Sequence, residues 1–185
     1  INWALINDEK DFGITVHFMD EGIDTGDIIL QEVFPITDED NYSTILNKAY
    51  IECANILDSA IKLFIEDKKI PRIKQKNIHP VGFYCTQRIK GDEIINWNQN
   101  SRQIFNLIRA VCQPGPMSRS SINGGEISIN RAIMVKDAPN YIGTPGAVIS
   151  KDESGIIVKT LDSHIKVTEY YSDVDFTIGD RFEVR

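Results

Sequence analysis

The sequence predicts an α/β fold over roughly the first 80 residues, followed by a small β-barrel. The first part contains two strand-like apolar runs and one long amphipathic helix. The second part contains one shorter helix and then several short strand-like segments separated by turns. The length of 185 residues is sufficient for one large domain or two small ones.

The two strand-like runs are Ile14–Met19 and Ile28–Phe34. Successive residues of the first run alternate between two faces, which is the period of a β-strand. The second run is rich in Ile and Val, which favours a strand as well. Residues 20–27 between them are too few for a parallel crossover, so we expect antiparallel neighbours. Gly22 and Gly26 are the predicted turn points of the connecting loop.

A long helix is predicted from Ser43 to about Glu66, because Pro35 ends the preceding strand and residues 37–41 supply polar caps. Apolar positions three or four residues apart predict one buried stripe, formed by Ile45, Ala49, Cys53, Ile56, Ala60 and Phe64. Two strands and one helix leave one face of each strand without a partner. We therefore expect this region to be the closing half of a larger sheet.

The segment Lys68–Tyr84 is basic, contains two prolines and has no sustained period, so it is predicted to be a linker. A second helix is predicted to run to about Cys112, with Asn98–Ser101 as its cap, before Pro114-Gly115-Pro116 stops it. Its inward residues are Ile104, Leu107, Ile108 and Val111. The strands expected in the barrel are Gly125–Val135, Gly146–Ile149, Gly155–Leu161, His164–Tyr170 and Arg181–Arg185.

The distribution of charge argues against a basic nucleic-acid-binding surface. The net charge is −7, with 8 Lys or Arg against 15 Asp or Glu in residues 1–84, and 12 against 12 in residues 85–185. The basic residues between Lys68 and Lys76 are interpreted as a solvated connector, with a phosphate-contacting linker as the minor alternative. No stretch approaches the roughly 20 apolar residues of a membrane helix.

The three cysteines, Cys53, Cys85 and Cys112, contain no C-x-x-C pair. This pattern argues against a disulfide framework or a zinc site and favours a reducing compartment, so a cytoplasmic location is expected. Each cysteine is interpreted as a small buried apolar residue. The first residues, Ile1-Asn2-Trp3-Ala4, resemble neither a signal peptide nor a natural start of translation, so we expect a piece of a longer protein.

The loop Asp20–Asp27 packs four carboxylates and two glycines into eight residues. Ligands bind to such loops at strand ends, and crowded carboxylates raise one another's pKa, which suits proton transfer. On spacing alone, the stronger interpretation is that Asp and Gly simply form good turns. The spacing does not fit a calcium loop of the EF-hand type. His17 by itself indicates a hydrogen-bonded structural residue.

The segment from Gly13 to Gln31 has the order G-x-T-x-H-x-M, an acidic loop, D-T-G-D-I-I and then Gln, and Asn2-Trp3-Ala4 precede it. This order resembles the 10-formyltetrahydrofolate-dependent formyltransferases. Later segments are similar to the C-terminal domain of methionyl-tRNA formyltransferases and their sugar-modifying relatives: Ile95-Asn96-Trp97, Ile108-Arg109-Ala110 with Pro114 and Pro116, Gly143–Ile149 and Gly155–Val158. The resemblance is strong through residue 31 and looser beyond it.

The resemblance implies the C-terminal half of a Rossmann-like formyltransferase domain at residues 1–76, a linker at 77–94 and an OB-like barrel at 95–185. Of the family's catalytic Asn, His and Asp, only the Asp is matched, by Asp24. The other two would precede Ile1, so the chain as given is not expected to transfer formyl groups at a useful rate.

The resemblance also implies binding residues and no metal. The co-substrate is 10-formyltetrahydrofolate, whose pterin would contact backbone groups of Met19, Asp20, Glu21, Gly22 and Ile23. Thr15 and His17 match family positions near the site, where a side chain contacts either the acceptor or other residues of the site. Asp27 is interpreted as a residue that holds the turn.

The expected acceptor is the amino group of an amino-sugar nucleotide, because the second part of the chain has no basic excess and the T-x-H pattern is present. Methionyl-tRNA is the alternative acceptor, and glycinamide ribonucleotide transformylases do not fit because they lack a second domain. A non-catalytic binding module is the third hypothesis. The strand Ile14–Met19 carries no charges that would protect an evolved free edge, which favours a truncated enzyme. Homodimer formation is left open.

Overall fold

The computed structural model describes residues 1–66, 68–78, 80–82 and 84–183. Two compact units are present: a two-stranded unit, Glu9–Asp38 and Thr44–Gln87, and a five-stranded unit, Ile1–Asp8, Glu39–Ser43 and Arg88–Arg185. The elements in chain order are α1 (Asn2–Ile6), β1 (Asp11–His17), β2 (Ile28–Pro35), α2 (Tyr42–Ile65), a 3-10 turn (Gln75–Asn77), α3 (Ser101–Val111), β3 (Ser118–Ile122), β4 (Gly125–Met134), β5 (Val148–Asp152), β6 (Gly155–Lys159) and β7 (His164–Ser172). Within the described ranges, no helix combines the length and the hydrophobicity that crossing a bilayer requires.

The sheet of the two-stranded unit is antiparallel, which confirms the predicted pairing of β1 with β2. Thr15 lies opposite Gln31, and the register shifts between Val16 and His17. The ladder stops at His17, before the predicted end at Met19, because the next backbone amide is already part of the connecting loop. There the N–H of Phe18 donates to the carbonyl of Asp27 at 2.9 Å.

Helix α2 begins and ends within one residue of the predicted bounds. Four residues of the predicted stripe are buried, namely Ile45, Ala49, Ile56 and Ala60. The prediction is wrong for Cys53, which is exposed, and for Phe64, which is 50% exposed and whose ring lies edge-on to that of Phe18. The described sheet of this unit has only two strands, which are too narrow to cover the whole apolar surface of the helix.

The basic segment after α2 is attached to this sheet where the structure describes it. Ile73 exchanges two backbone hydrogen bonds with Ile28, at 2.8 and 3.0 Å. The guanidinium of Arg72 lies 3.8 Å from the centre of the Phe18 ring. This part of the predicted linker Lys68–Tyr84 is therefore held in place, because it supplies a backbone partner to the first residue of β2.

The sheet of the five-stranded unit has the order β3-β4-β7-β6-β5, and all neighbouring strands are antiparallel. The segment after β7 joins both of its edges. The N–H of Glu183 donates to Ser121 of β3, and the N–H of Val148 in β5 donates to Asp180, both at 2.9 Å. The strand predicted at Arg181–Arg185 is present as two isolated bridges, and its last two residues lie outside the described part of the chain.

The sequence analysis missed strand β3 because its inward positions are serines. Ser118 and Ser120 are both buried, so the usual alternation of apolar and polar residues is absent. Each serine has a partner: Ser118 donates to the carbonyl of Ile129 at 3.0 Å, and the indole N–H of Trp97 donates to Ser120 at 2.9 Å. These hydrogen bonds offset the cost of burying two hydroxyl groups.

Helix α3 confirms the second predicted helix. Asn100 caps its N-terminus through the backbone N–H of Gln103, and the side chain of Gln103 returns a bond to the backbone N–H of Asn100. Ile104 and Ile108 are buried against the five-stranded sheet, together with Trp97, whose ring stacks on Phe182 at 5.0 Å between centroids. This cluster is the core of the unit.

The short helix α1 packs on α3, and its five residues are too few to produce a recognisable period. The amide of Asn2 donates to the carbonyl of Ala110 at 2.5 Å. At the end of α1, Asp8 accepts from Arg102 and lies 3.5 Å from Arg109, which is 5% exposed. These polar contacts explain why the first eight residues belong to the five-stranded unit.

The cysteines only partly follow their predicted burial. Cys112, directly after α3, is buried, whereas Cys53 and Cys85 are exposed. The prediction is therefore wrong for Cys53 and Cys85. A small apolar residue is buried only where the tertiary structure covers it, and the described residues of the two-stranded unit do not cover these two positions.

Candidate functional site

The candidate site lies at the end of β1, the start of β2 and the loop between them. Thr15 and His17 lie at the end of β1, and both side chains line the same cavity although the register shifts between Val16 and His17. Gln31, opposite Thr15 on β2, donates from its side-chain amide to the Thr15 hydroxyl at 2.8 Å. This bond leaves the hydroxyl hydrogen of Thr15 and the amide oxygen of Gln31 as groups that can bind a ligand.

The ring of His17 has a defined orientation. Its Nδ1 lies 2.7 Å from the carbonyl oxygen of Phe18, and a carbonyl oxygen only accepts, so Nδ1 carries a hydrogen. In the neutral ring, the lone pair is then on Nε2. Nε2 lies 3.7 Å from Oδ1 of Asp24, so the two side chains face each other without a direct hydrogen bond.

The aspartates of the loop have different roles. Asp20 accepts from the hydroxyl of Thr25 at 2.5 Å and from the backbone N–H of Gly22 at 3.1 Å. These bonds, the one from Thr25 foremost, hold the pKa of Asp20 below its ordinary value. The expectation that crowding raises the pKa of these carboxylates is therefore wrong for Asp20, because hydrogen bonds to the ionised form outweigh the desolvation that raises its pKa. Asp20 fixes the loop and is a poor proton carrier near neutral pH.

The backbone of Asp24 is in the left-handed region, with φ at 55°. Its side chain is 87% exposed, so packing does not hold it. The side-chain amide of Gln75 donates to the carbonyl of Asp24 at 2.7 Å and to that of Gly26 at 2.9 Å. These two bonds secure the backbone on both sides of Thr25.

The sequence analysis predicted Gly22 and Gly26 as the turn points of the loop. Neither has a positive φ, and the left-handed backbone of the loop falls on Asp24 instead. Gly26 is needed for a different reason. A Cβ at this position would lie 1.7 Å from the carbonyl oxygen of Phe18, so no other residue fits without moving the loop. At Gly22 a Cβ would lie 2.1 Å from the hydroxyl oxygen of Thr25, which would displace the bond from Thr25 to Asp20.

Two cavities share His17 and Asp24. A strand-side cavity of about 350 Å³ is lined by Gly13, Thr15, His17, Asp24, Ile28, Gln31 and Gln75. A loop-side cavity of about 360 Å³ is lined by His17, Met19, Asp20, Gly22, Ile23 and Asp24. Met19 and Ile23 are 94% and 90% exposed, so this loop presents two uncovered apolar side chains. Two ligands, one in each cavity, would meet at His17 and Asp24.

The structure brings together most of the predicted site residues. Thr15, His17 and Asp24 line one cavity, and Met19, Asp20, Gly22 and Ile23 line the other. Glu21 and Asp27 line neither of them, and Asp27 acts through its backbone carbonyl at the base of the loop. Among the described residues, no group of three His, Cys, Asp or Glu side chains could hold a metal ion.

The sequence analysis missed Gln75 and gave Gln31 no role. The position of Gln31 follows from the register, since a side chain opposite Thr15 must share its face. Gln75 follows Asp24 by 51 residues, and no local pattern connects them. The attachment of Ile73 to Ile28 and the stacking of Arg72 on Phe18 bring Gln75 to the loop.

Comparisons with known proteins identify two regions of the chain. Residues 1–61 match the family model described as "Formyl transferase", and residues 88–173 match "Formyl transferase, C-terminal domain". The methionyl-tRNA formyltransferase of Pelotomaculum thermopropionicum is 38% identical over 169 residues, which cover 91% of this chain and 52% of the relative. That of Clostridium acetobutylicum is 34% identical over 91% of this chain and 53% of the relative. The chain thus spans about half the length of these curated relatives.

Solved structures give a similar result. An N-formyltransferase from Helicobacter canadensis, in complex with folinic acid and dTDP-3-aminofucose, has a TM-score of 0.65 and 27% identity, covering 91% of this chain and 59% of that one. WlaRD, a sugar 3N-formyl transferase crystallised with dTDP and 5-N-formyl-THF, has a TM-score of 0.66 and 26% identity, covering 94% and 59%. HypX from Aquifex aeolicus in complex with tetrahydrofolic acid has 19% identity and a TM-score of 0.65, covers 94% of this chain and 29% of that one, and indicates the fold alone.

Proposed function

Because the chain belongs to the formyltransferase family, we propose that it serves the transfer of a formyl group from 10-formyltetrahydrofolate to an amino group. The observation that carries this proposal is the pair of cavities that share His17 and Asp24. A transfer between two substrates needs a donor site and an acceptor site that meet at the reacting atoms. The arrangement of the loop-side and strand-side cavities meets this requirement.

The loop-side cavity is the proposed donor site. Met19 and Ile23 offer apolar surface to a flat pterin ring, and backbone groups of residues 19–23 can hydrogen-bond to its polar edge. Glu21 contributes only as part of that backbone run, since it does not line the cavity. Folinic acid and 5-N-formyl-THF accompany the two sugar formyltransferase relatives, which supports this donor.

The strand-side cavity is the proposed acceptor site, with Asp24 as the proton carrier. The nitrogen of the acceptor amine bonds to the formyl carbon, and the bond from that carbon to N10 of the folate breaks. The amine loses a proton and N10 gains one, so a carboxylate between the two sites can accept the first and return it. Asp24 has this position, and the Nε2 of His17 faces its carboxylate.

The proposed acceptor is an amino-sugar nucleotide. Residues 85–185 carry 12 basic and 12 acidic residues, so this part of the chain lacks the positive field that attracts tRNA phosphates. The strand-side cavity of about 350 Å³ is suitable for a small polar acceptor, with Thr15 and Gln31 as hydrogen-bonding groups. The two sugar formyltransferase structures, at 26% and 27% identity, support this choice.

Methionyl-tRNA is a second candidate acceptor, and one specific observation favours it. Curated methionyl-tRNA formyltransferases are up to 38% identical to this chain over about nine-tenths of its length. The basic residues between Lys68 and Lys76 would then be the first place to look for phosphate contacts.

The proposal extends to the architecture. The two-stranded unit would be part of a Rossmann-like domain, and the five-stranded unit would be an OB-like barrel. The predicted bounds, 1–76 for the first domain, 77–94 for a linker and 95–185 for the barrel, differ from the two units, because residues 1–8 and 39–43 belong to the five-stranded unit and residues 77–87 to the two-stranded unit. The joining of both edges of the five-stranded sheet by residues 180–183 supports the barrel. A closed sheet is common to many barrels, so the strand tilt and the shear of this sheet are the quantities that identify an OB fold.

The test is formyl transfer by the protein at the length that its gene encodes. We expect transfer from 10-formyltetrahydrofolate to UDP- or dTDP-amino sugars and not to initiator methionyl-tRNA. Asp24→Asn should lower kcat by about 10²- to 10⁴-fold, the usual contribution of a proton carrier. Asp27→Asn, in the same loop but outside both cavities, should change kcat little.

The possible results separate the hypotheses. Activity on methionyl-tRNA alone would show that the acceptor is the tRNA and not the amino-sugar nucleotide, and the proposed donor site would stand. Absence of transfer to any amine, together with absence of 5-formyltetrahydrofolate binding, would overturn the proposed function and leave the binding-module hypothesis. Equal kcat values for the two aspartate variants would remove Asp24 from the mechanism.

A further inference from the structure

We propose that Gln75 is a positioning residue, which holds the loop between β1 and β2 in the conformation that Asp24 needs for proton transfer. This inference rests on the proposed function of Asp24. It goes beyond that function, because it assigns a role to a residue that lies 51 positions away in sequence.

Asp24 requires support that its own surroundings do not supply. Its φ of 55° is in a region that residues other than glycine rarely adopt without a local stabilising contact. Its side chain is 87% exposed and lies 3.7 Å from His17, which is too long for a direct hydrogen bond. The backbone of residue 24 therefore sets the direction of the Cα–Cβ bond, from which the carboxylate extends toward His17.

Gln75 has the chemistry to hold that backbone. Its side-chain amide nitrogen carries two hydrogens, and these donate to the carbonyls of Asp24 and Gly26, at 2.7 and 2.9 Å. One planar group thus binds both ends of the Asp24–Gly26 segment. A carboxylate of the same size has no hydrogens to donate and would place one of its oxygens, at the position of Nε2, against both carbonyl oxygens.

The segment that carries Gln75 is itself fixed to the sheet. Ile73 is paired with Ile28, the first residue of β2 and the first after the loop, through two backbone hydrogen bonds. Arg72 stacks on Phe18, the residue at which the loop begins, with 3.8 Å between the guanidinium and the ring centre. Residues 72–75 therefore contact the start, the middle and the end of the loop.

Gln75 also lines the strand-side cavity beside Asp24 and His17. Its amide is already engaged by two carbonyls, so its first effect is on the loop and not on the ligand. A change at Gln75 should therefore alter kcat more than the KM of either substrate, because the reacting groups would be misplaced while the cavities remain.

The test compares Gln75→Glu with Gln87→Glu, which makes the same change at an exposed position of the same unit. NMR of the protein at its natural length reads the conformation of the loop directly. We expect the amide and Cα chemical shifts of Asp24, Thr25 and Gly26 to change in Q75E. In Q87E they should equal those of the unmodified protein. The amides of Ile28 and Ile73, which report whether the sheet is intact, should stay protected from exchange in both variants.

Kinetics of the protein at its natural length complete the test. We expect Q75E to lower kcat by about 10²-fold, the size of effect that a small misplacement of reacting groups produces, with both KM values and the folate affinity retained. Gln75→Met, which removes the hydrogen-bond donors without adding charge, should lower kcat as well. Q87E should have the kcat of the unmodified protein.

Three results would overturn the inference or its premise. Unchanged loop shifts in Q75E would show that Gln75 does not hold the loop. Changed shifts with an unchanged kcat would show that the held conformation does not matter for transfer. Changed loop shifts in a protein whose unmodified form transfers no formyl group would refute the proposed function, while the contact between Gln75 and the loop would stand.

Discussion

The two units of the chain differ in how their apolar and polar side chains are used. The five-stranded unit has a continuous buried cluster around Trp97, and its buried serines and Asp162 are satisfied by hydrogen bonds within the unit. The two-stranded unit buries fewer apolar residues and leaves many exposed on α2. Its polar side chains at Thr15, His17 and Asp24 line cavities. The five-stranded unit thus has a continuous core, and the candidate site lies on the two-stranded unit, whose apolar side chains are less covered.

The largest expected effect tests the difference in cores. Ile104→Ala should destabilise the five-stranded unit by about 2–5 kcal/mol, because it leaves a cavity in a fully buried cluster. Ile51→Ala on α2, at a position that is 62% exposed, should change the free energy of unfolding by less than about 0.5 kcal/mol.

Urea unfolding followed by tryptophan fluorescence measures the first effect, because both tryptophans, Trp3 and Trp97, belong to the five-stranded unit. Ile142→Ala, at an exposed position of the same unit, is the matched control. Equal losses for Ile104 and Ile142 would contradict the described core. The α2 variant needs a second probe, such as circular dichroism, because that helix contains no tryptophan.

An intermediate effect is expected at Gly26. In Gly26→Ala the new Cβ would lie 1.7 Å from the carbonyl oxygen of Phe18, so the loop must move, at a cost of roughly 1–3 kcal/mol. We expect weaker binding of 5-formyltetrahydrofolate, measured by calorimetry. Gly82→Ala is the control, since a Cβ there meets nothing within 4 Å. Retained folate affinity in the Gly26 variant would argue that the loop does not form the donor site.

The smallest expected effect is a pH dependence in the five-stranded unit. Burial, and secondarily the charge of Lys159, lower the pKa of His164 below 6.5. The unfolded chain therefore binds this proton at a higher pH than the folded chain. Stability should fall as the pH decreases from 6.5 to the lowered pKa of His164, and this contribution should then level off.

His164→Gln, which can keep the contact with the hydroxyl of Tyr141 at 3.3 Å, should flatten that part of the profile. Thermal unfolding by fluorescence between pH 7 and about pH 5 is the measurement. Asp152, Asp162 and Asp180 have pKa values below 3.8, so they titrate outside this window. An identical slope in the variant would exclude His164 as its source.

Local pattern predicted the regular elements well. The antiparallel pairing of β1 with β2 follows from the short connection, and α2 and α3 follow from apolar periods with polar caps. Prediction was wrong where burial depends on distant partners, as at Cys53 and Phe64. It also missed β3, whose inward serines are acceptable only because the carbonyl of Ile129 and the indole of Trp97 supply partners.

The sequence by itself determined the family and the antiparallel strand pair, and it predicted Asp24 as a candidate, because these depend on residue order over short spans. Only the tertiary structure decided how Asp24 is held, which aspartate is fixed by hydrogen bonds, and that two cavities meet at His17 and Asp24. The physical reason is the range of the contacts. Gln75 donates to the carbonyls of Asp24 and Gly26 from a segment that is held by the pairing of Ile73 with Ile28 and by Arg72 on the Phe18 ring, and no local period records these contacts.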